Sequence, residues 1–548
     1  MPYINMKTKP ALLGAVAWCL LMLLQGCKKE EFKTPQNADS RLRPNNTRAI
    51  GDEMRGAIPS GSYQIVTDVS YNAGKQVLSV VRAGVREGDK IEQRDYFPGT
   101  GQEWVAQNMG GNEYVIVSTQ SGLALQVPVT YAPGVQLELG KLNTGLANQR
   151  WVGKYLGNGV YQIRTKLNVN LGINVEADSA MNGARITLNN LNSRRSHFLL
   201  YRTAYRDMQA TNFFKRRSGW VSGDGGFSIP LDNNKVLWTF GDSGLDTYRP
   251  SDNTVSCLFS VHNALILQDK DRWSAAAAPT IVDNASTDKS TFKIPGSKAF
   301  FWDGSGVQIK DTIYVACSGL EPSNAPDAWL GVKGLPNIYM FKMKYPEMTV
   351  AGYHKVQPEV GKFDFVIGLV KDEASGYVYA FGRKQIFLEF SIHVARFPIS
   401  NPNARWTFWD GSKWGDDINK SATIGVGDSP GTTVFRVRNK YVALSTEITF
   451  DCDDGKRIFA SYSNSPTGPF TQRKAVYTIP DRYKGHTPLF YTPAGHGEYL
   501  NERNEVLITY SLNGYAPCVP NCSGPRSIRD NFTVQAARIP MKMIDPTF

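Results

Sequence analysis

The chain has 548 residues and a formal net charge of +12, which is length for two or three domains. Its 61 Lys and Arg residues are dispersed, with Lys215-Arg216-Arg217 the densest cluster, so the excess reads as a solvated surface and not as a nucleic-acid footprint. There is no zinc-ligand spacing, no P-loop, no His-Glu-x-x-His and no Gly-x-Ser-x-Gly elbow in a suitable context, so neither a metal nor another cofactor is expected.

In chain order, Lys7 and Lys9 precede an apolar run over residues 11–24. That run is too short and wrongly flanked for a spanning helix. It ends in Leu24-Gln25-Gly26-Cys27, which resembles the lipobox of bacterial lipoproteins. The resemblance implies a signal peptide over residues 1–26, cleavage before Cys27, and acylation of the Cys27 thiol and new amino group. More than one acyl chain anchors a protein stably to a membrane. Lys28-Lys29-Glu30-Glu31 resembles the export signal of surface-displayed lipoproteins in Gram-negative glycan degraders, and an ordinary charged linker is the other reading. The expected location is the outer membrane, lipid-anchored, facing the cell surface or the periplasm. Residues 27–59 are polar, with scattered Pro, Asn and Arg, and read as a flexible tether.

Residues 60–203 contain a threefold repeat. Each unit opens on a strand-like Tyr63-Gln64-Ile65, Tyr114-Val115-Ile116 or Tyr161-Gln162-Ile163. A second short strand follows, around Ser79, Gln126 or Asn174. Each unit closes on an aromatic: Gln102-Glu103-Trp104, Gln149-Arg150-Trp151 and Ser196-His197-Phe198, spaced 47 residues apart in both steps. One such unit cannot bury its apolar face alone, whereas three share a core in a closed barrel. The Gln-x-Trp closure resembles the ricin-type β-trefoil lectins, which implies a carbohydrate-binding module. In that family an Asp of the second strand holds sugar hydroxyls. The matching positions here are Ser79, Gln126 and Asn174, none of them Asp, which leaves Gln126 and Asn174 as the candidate sugar ligands. A trefoil kept as a structural module is the competing reading.

Residues 204–548 keep the period-2 strand pattern without the short repeat. Five blocks each hold two strands joined by a short polar connection, as in Val236-Leu237-Trp238-Thr239-Phe240 after Asp232-Asn233-Asn234-Lys235. Five such hairpins argue for a five-bladed β-propeller, with a large β-sandwich as the alternative. The expected fold class is therefore all-β, a β-trefoil followed by a five-bladed β-propeller.

A propeller gathers polar side chains from distant sequence around one axis. In the first block Asp224, within Gly223-Asp224-Gly225-Gly226, stands just before one strand. Asp242, within Phe240-Gly241-Asp242-Ser243, stands just after the next. A hairpin would set them side by side on one rim. Two carboxylates are what glycoside hydrolysis needs: one protonates the leaving oxygen, and the other attacks the anomeric carbon or activates water. Turn aspartates bonding their own backbone are the plainer reading. The run from Gly-Asp-Gly to Trp-Thr-Phe-Gly-Asp-Ser resembles the opening blade of five-bladed propeller glycoside hydrolases, whose relatives include endo-D-arabinanases and allied families of undefined function. Phe301-Trp302-Asp303-Gly304, the segment from Ser463 to Phe470, and Ala494-Gly495-His496-Gly497-Glu498 resemble their second, fourth and fifth blades. The resemblance implies acid and nucleophile or base roles for Asp224 and Asp242, without fixing which is which.

Asp303, Glu447, His496 and Arg436 are possible supporting residues, each with a plain turn, surface or loop alternative. Trp302, Trp406, Trp409 and Trp414 are candidate sugar platforms. Cys518 and Cys522 suit a loop disulfide in an oxidising compartment, while Cys257, Cys317 and Cys452 read as small buried hydrophobes. The expected function is a lipoprotein glycoside hydrolase acting on a polysaccharide, an arabinan or another furanoside-containing glycan. The expected partners are that glycan and a membrane, not nucleic acid. A non-catalytic glycan-binding lipoprotein and an adhesion module are the rivals.

Overall fold

The computed structural model describes residues 58, 60–71, 76–96, 101–157, 160–191, 193–326, 328, 331–386, 389–427, 429, 431–447, 455–483, 486–513 and 525–548. The signal peptide, Cys27 and most of the tether lie outside the described residues, as do Cys452, Cys518 and Cys522. Among the described residues no helix is long and apolar enough to cross a membrane.

The N-terminal repeat folds as a β-trefoil because its aromatic positions meet in register. Tyr63 pairs across the sheet with Trp104, Tyr114 with Trp151 and Tyr161 with Phe198. All six are at most 1% exposed. The two tryptophans also bond inward in the same way: Trp104 Nε1 donates to Leu78 O and Trp151 Nε1 to Leu125 O, both at 3.0 Å. Phe198 has no N–H, so the third unit keeps the packing and loses the bond. Truncating one of these tryptophans would cost about 3–5 kcal/mol.

Five antiparallel blades follow. Their inner strands are Trp220–Leu231, Phe300–Ile309, Phe363–Asp372, Thr433–Val437 and Leu489–His496. The ring closes because the short strand Tyr205–Arg206, before the first blade, pairs with Phe532–Pro540 in the fifth. Side chains stitch neighbouring blades. Thr239 Oγ1 donates to Gly304 O at 3.0 Å, Ser305 Oγ accepts from Leu369 N at 2.9 Å, and Thr433 Oγ1 donates to Pro493 O. Thr509 Oγ1 joins the fifth blade to the first with a 3.0 Å bond to Gly226 O. The hairpin connection Asn233-Asn234 has φ of 58° and 54°, the left-handed pair that a tight hairpin requires and Asn tolerates.

Two sequence expectations are corrected. The first-blade strands run over Trp220–Leu231 and Lys235–Leu245, so Asp224 and Asp242 lie within strands and do not flank them. The ladder continues past both because it absorbs slips between Gly223 and Gly225. Cys257 is disulfide-bonded and is not a free apolar residue. Cys317 is free and buried.

Candidate active site

The Gly-Asp-Gly-Gly segment builds the first wall of the site. Gly223, Gly225 and Gly226 have φ of 148°, 93° and 82°, backbone that side chains disfavour. The resulting bulge lays Asp224 against the neighbouring strand, where a Cβ on Gly241 would stand 2.6 Å from Asp224 Oδ1. Gly241 directly precedes Asp242, so the carboxylates come from adjoining strands at one level of the rim.

The same device recurs around the ring. Inner-strand pairing slips between Asp303 and Gly306 in the second blade, between Asp364 and Gly368 in the third, and between Tyr491 and Ala494 in the fifth. Bulges re-aim side chains. The N-terminal ends of four inner strands thus bring Asp224, Asp303, Asp364 and Tyr491 to one mouth of the central channel.

The two first-blade carboxylates have different surroundings. Burial, then the Asp242 charge, pushes Asp224 up to about 7, against a hydrogen bond from Tyr491 that favours the ionised form. Tyr491 OH donates to Asp224 Oδ2 at 2.7 Å and accepts from Asn513 Nδ2 at 3.2 Å. Asp242 Oδ1 instead accepts from Trp302 Nε1 at 3.1 Å and faces His262 Nδ1 at 2.9 Å. Asp303 is 7% exposed. Burial, helped by the charges of Asp224 and Asp242, holds its carboxyl well above the usual range. Asp364 accepts from Ser318 Oγ and Arg383 Nη2, both at 2.7 Å.

Asp224, Asp242, Asp303 and Trp302 therefore share one mouth of the channel, whereas Glu447 is engaged within its own blade and His496 and Arg436 lie toward the other mouth. Glu447 accepts from the amides of Lys456 and Arg457 at 2.6 and 2.9 Å and pairs with the Arg457 side chain, which makes it a clamp on its own hairpin. His496 is fully buried, bonded to Ser228 Oγ at 2.6 Å and Thr509 Oγ1 at 2.9 Å. Burial depresses it to about 3. It is a core histidine of the far half of the fifth inner strand. Arg436 lines a cavity of about 370 Å³ among the C-terminal halves of the inner strands, at the opposite mouth, where its Nε donates to Arg438 O. Trp406 is buried and stacks on Phe397. Trp409 and Trp414 pack on each other at the outer edge of the third blade.

In the trefoil, Asn174 is wholly buried and donates to Gly172 O and Asn189 O, so it cannot reach a sugar. Gln126 is partly buried and held between Glu138 and Gln149.

Sequence reasoning missed Tyr491, His262, Asp364 and Arg383. Asp364 had a readable signal, a lone acid inside the apolar run Phe363-Asp364-Phe365. His262 stands on a connection between strands, with no periodicity to mark it.

Among the described residues no group of three or more His, Cys, Asp or Glu is placed to hold a metal ion. Residues 207–536 match the family model described as Domain of unknown function (DUF5005), which is more than half of the chain. The chain belongs to that family. Its DUF5005 region holds every residue of the rim just described. Ahead of it, residues 100–189 match the model for a Ricin-type beta-trefoil lectin domain-like family.

Among solved structures, the DUF5005 chain is similar to a "putative hydrolase" from Bacteroides ovatus, at 17% identity and a TM-score of 0.51, over 61% of this chain and 90% of that one. It is also similar to the C-half of an earthworm R-type lectin in complex with GalNAc (16% identity, TM-score 0.21, 26% of this chain and 99% of that one). A third is the ricin B-like lectin of Macrolepiota procera in complex with lactose (16% identity, TM-score 0.22, 27% and 99%). The first of these likenesses is one of fold. No curated protein matches the chain.

Proposed function

We propose that this protein is a lipid-anchored glycoside hydrolase whose propeller cleaves a polysaccharide at the rim carrying Asp224 and Asp242. The observation that carries the reading is the contrast between these two carboxyls. Two carboxyls on one rim with unlike hydrogen-bond surroundings suit a division into an acid and a base. Asp224, raised to about 7, keeps a proton near neutrality and protonates the leaving oxygen. Asp242, fixed by Trp302 and His262, attacks the anomeric carbon or activates water. Asp303 stands beside them, its carboxyl pushed well above the usual range by burial.

The ricin-type trefoil is read as a carbohydrate-binding module that keeps the enzyme on its polymer and raises local substrate concentration. Its ligand would have to be met by residues other than Asn174. The substrate is read as an arabinan or another furanoside-containing polysaccharide, on the resemblance of the first blade alone. Acylated Cys27 would tether the enzyme to the outer membrane.

The test is reducing-end release from a polysaccharide panel that includes arabinans, using protein that begins after Cys27. Asp224→Asn and Asp242→Asn should each lose about a thousandfold or more in rate while keeping the wild-type fold. Wild-type rates in either variant would remove that residue from the chemistry. A polymer that retards the protein on an affinity gel but is never cut would favour glycan binding without catalysis.

A further inference from the structure

A line of rings runs outward from Asp242. Trp302, bonded to Asp242, meets Phe300 edge-on at 6.1 Å. Phe300 stacks on His262 at 3.9 Å and 16°. His262, also against Asp242, packs on Phe259 at 4.9 Å. Phe259 is 41% exposed, so an aromatic surface begins at the carboxylate and ends in solvent.

A large exposed ring ordinarily belongs to a mobile loop, but this one is braced. Ser260 N and Val261 N both donate to Ser243 O, at 2.7 and 3.1 Å, and Ser243 N donates back to Val261 O. His262 N donates to Ser290 Oγ. Upstream, the strand Thr254–Ser256 pairs with Arg526–Ile528 from beyond the fifth blade's second strand. Cys257 N donates to Pro525 O, and its sulfur is in a disulfide. Arg526 Nη2 bonds Thr254 O at 3.0 Å. The fold therefore fixes this wall before any ligand arrives, which removes the ordering cost of binding.

Resting on the hydrolase reading, we propose that Phe259, His262, Phe300 and Trp302 form a sugar-ring subsite next to the cleaved bond. The occupant is the neighbouring sugar of the same polymer, laid with its C–H face on the rings. Sugars present such apolar faces, and aromatic surfaces with a few polar groups orient them. His262 Nδ1 is engaged with Asp242 Oδ1 at 2.9 Å, which leaves Nε2 as the ring's second polar atom for a sugar hydroxyl. The subsite makes the enzyme prefer chains long enough to cover both the carboxylates and Phe259.

The test uses Phe259→Ala and Phe259→Trp in the mature chain, assayed on the polysaccharide panel and on arabino-oligosaccharides from disaccharide to octasaccharide. Phe259→Ala should raise KM for the polymer and the longer oligosaccharides about tenfold. It should leave kcat within about twofold and the shortest cleaved oligosaccharide unaffected, and Phe259→Trp should restore the long-chain KM. Equal kinetics for wild type and Phe259→Ala at every length overturn the subsite and leave the hydrolase reading standing. So does an equal loss at every length. Failure of the wild type to cut any polymer overturns both.

Discussion

Tyr491 on the fifth blade donates its hydroxyl to Asp224 on the first, at 2.7 Å. The bond crosses the seam where the propeller ring closes, so the protonation of Asp224 depends on closure of the fold. A hydrogen bond to a carboxylate favours its charged form, and here it opposes burial and the Asp242 charge.

Tyr491→Phe should therefore move Asp224 further upward. If Asp224 is the general acid of the proposed hydrolase, the alkaline limb of kcat/KM follows its titration, raised to about 7, and should shift to higher pH. The rate at its plateau should fall only severalfold, because the phenol positions the acid without replacing it. The pH dependence of kcat/KM for both proteins is the measurement, and an unmoved or acid-shifted limb removes Tyr491 from this role.

Asp224 also links function to stability. Its folded-state value is raised to about 7, whereas an unfolded Asp titrates near about 3.9. Between these values the native state holds a proton that the unfolded chain has released. Stability then falls as pH rises through this window and stays reduced above it. Asp224→Asn should be more stable than wild type at about pH 8, by about 1–3 kcal/mol, and the gain should vanish below about pH 4. Denaturant melts at the two pH values decide it; a constant difference would show that ionisation of Asp224 is not its source.

The reverse sign applies to His496. Burial depresses it to about 3, while an unfolded His titrates near about 6.5. The unfolded chain takes up a proton first, so stability is lost as pH falls from about 6.5 toward about 3. His496→Gln should start less stable at neutral pH, because the bond to Ser228 or Thr509 is disturbed. It should also show a shallower decline on acidification. Thermal melts between about pH 7 and about pH 4 read both effects, and an equally steep decline would assign the acid sensitivity elsewhere.

Much of the architecture is legible because strands and repeats are local patterns. The closing aromatics of the trefoil units recur every 47 residues, and the fold pairs each with the tyrosine that opens its unit. The two strands of each hairpin are joined by short polar turns such as Asn233-Asn234. The Asp224 and Asp242 pair is legible for the same reason, since one hairpin carries both. Tyr491, itself bonded by Asn513, reaches Asp224 only through ring closure, and His262 reaches Asp242 through a braced connection. Neither relationship leaves a periodic trace. His496 and Arg436 show the converse error. Both lie on inner strands, as a site residue would, but strand direction places them toward the other mouth of the channel. Asn174 fails for a third reason: its two backbone bonds take it into the trefoil core.

Glu505 offers a sharp test of how the trefoil is fastened to the propeller. It is 0% exposed, and Arg202 Nη1 from the last trefoil strand donates to its Oε1 at 2.6 Å. Tyr205 OH, Asn501 Nδ2 and Arg503 Nε converge on its Oε2 at 2.9, 2.8 and 3.2 Å. Arg503 also reaches Ser60 O and Tyr205 OH, so one buried carboxylate organises both sides of the junction. Removing one partner of a buried ionic cluster leaves uncompensated charge and typically costs about 3–5 kcal/mol. Glu505→Ala should cost that much, because Arg202 and Arg503 would lose their shared counter-charge. Glu505→Gln should cost less, since the amide keeps one acceptor. The loss should appear first as increased protease cleavage near residues 202–206, before the rim is affected, so activity on short oligosaccharides should survive in the folded fraction. If Glu505→Ala instead melts with the wild type and resists cleavage equally, the junction is held by the Tyr205–Arg206 strand pairing and its flanking contacts and not by this carboxylate.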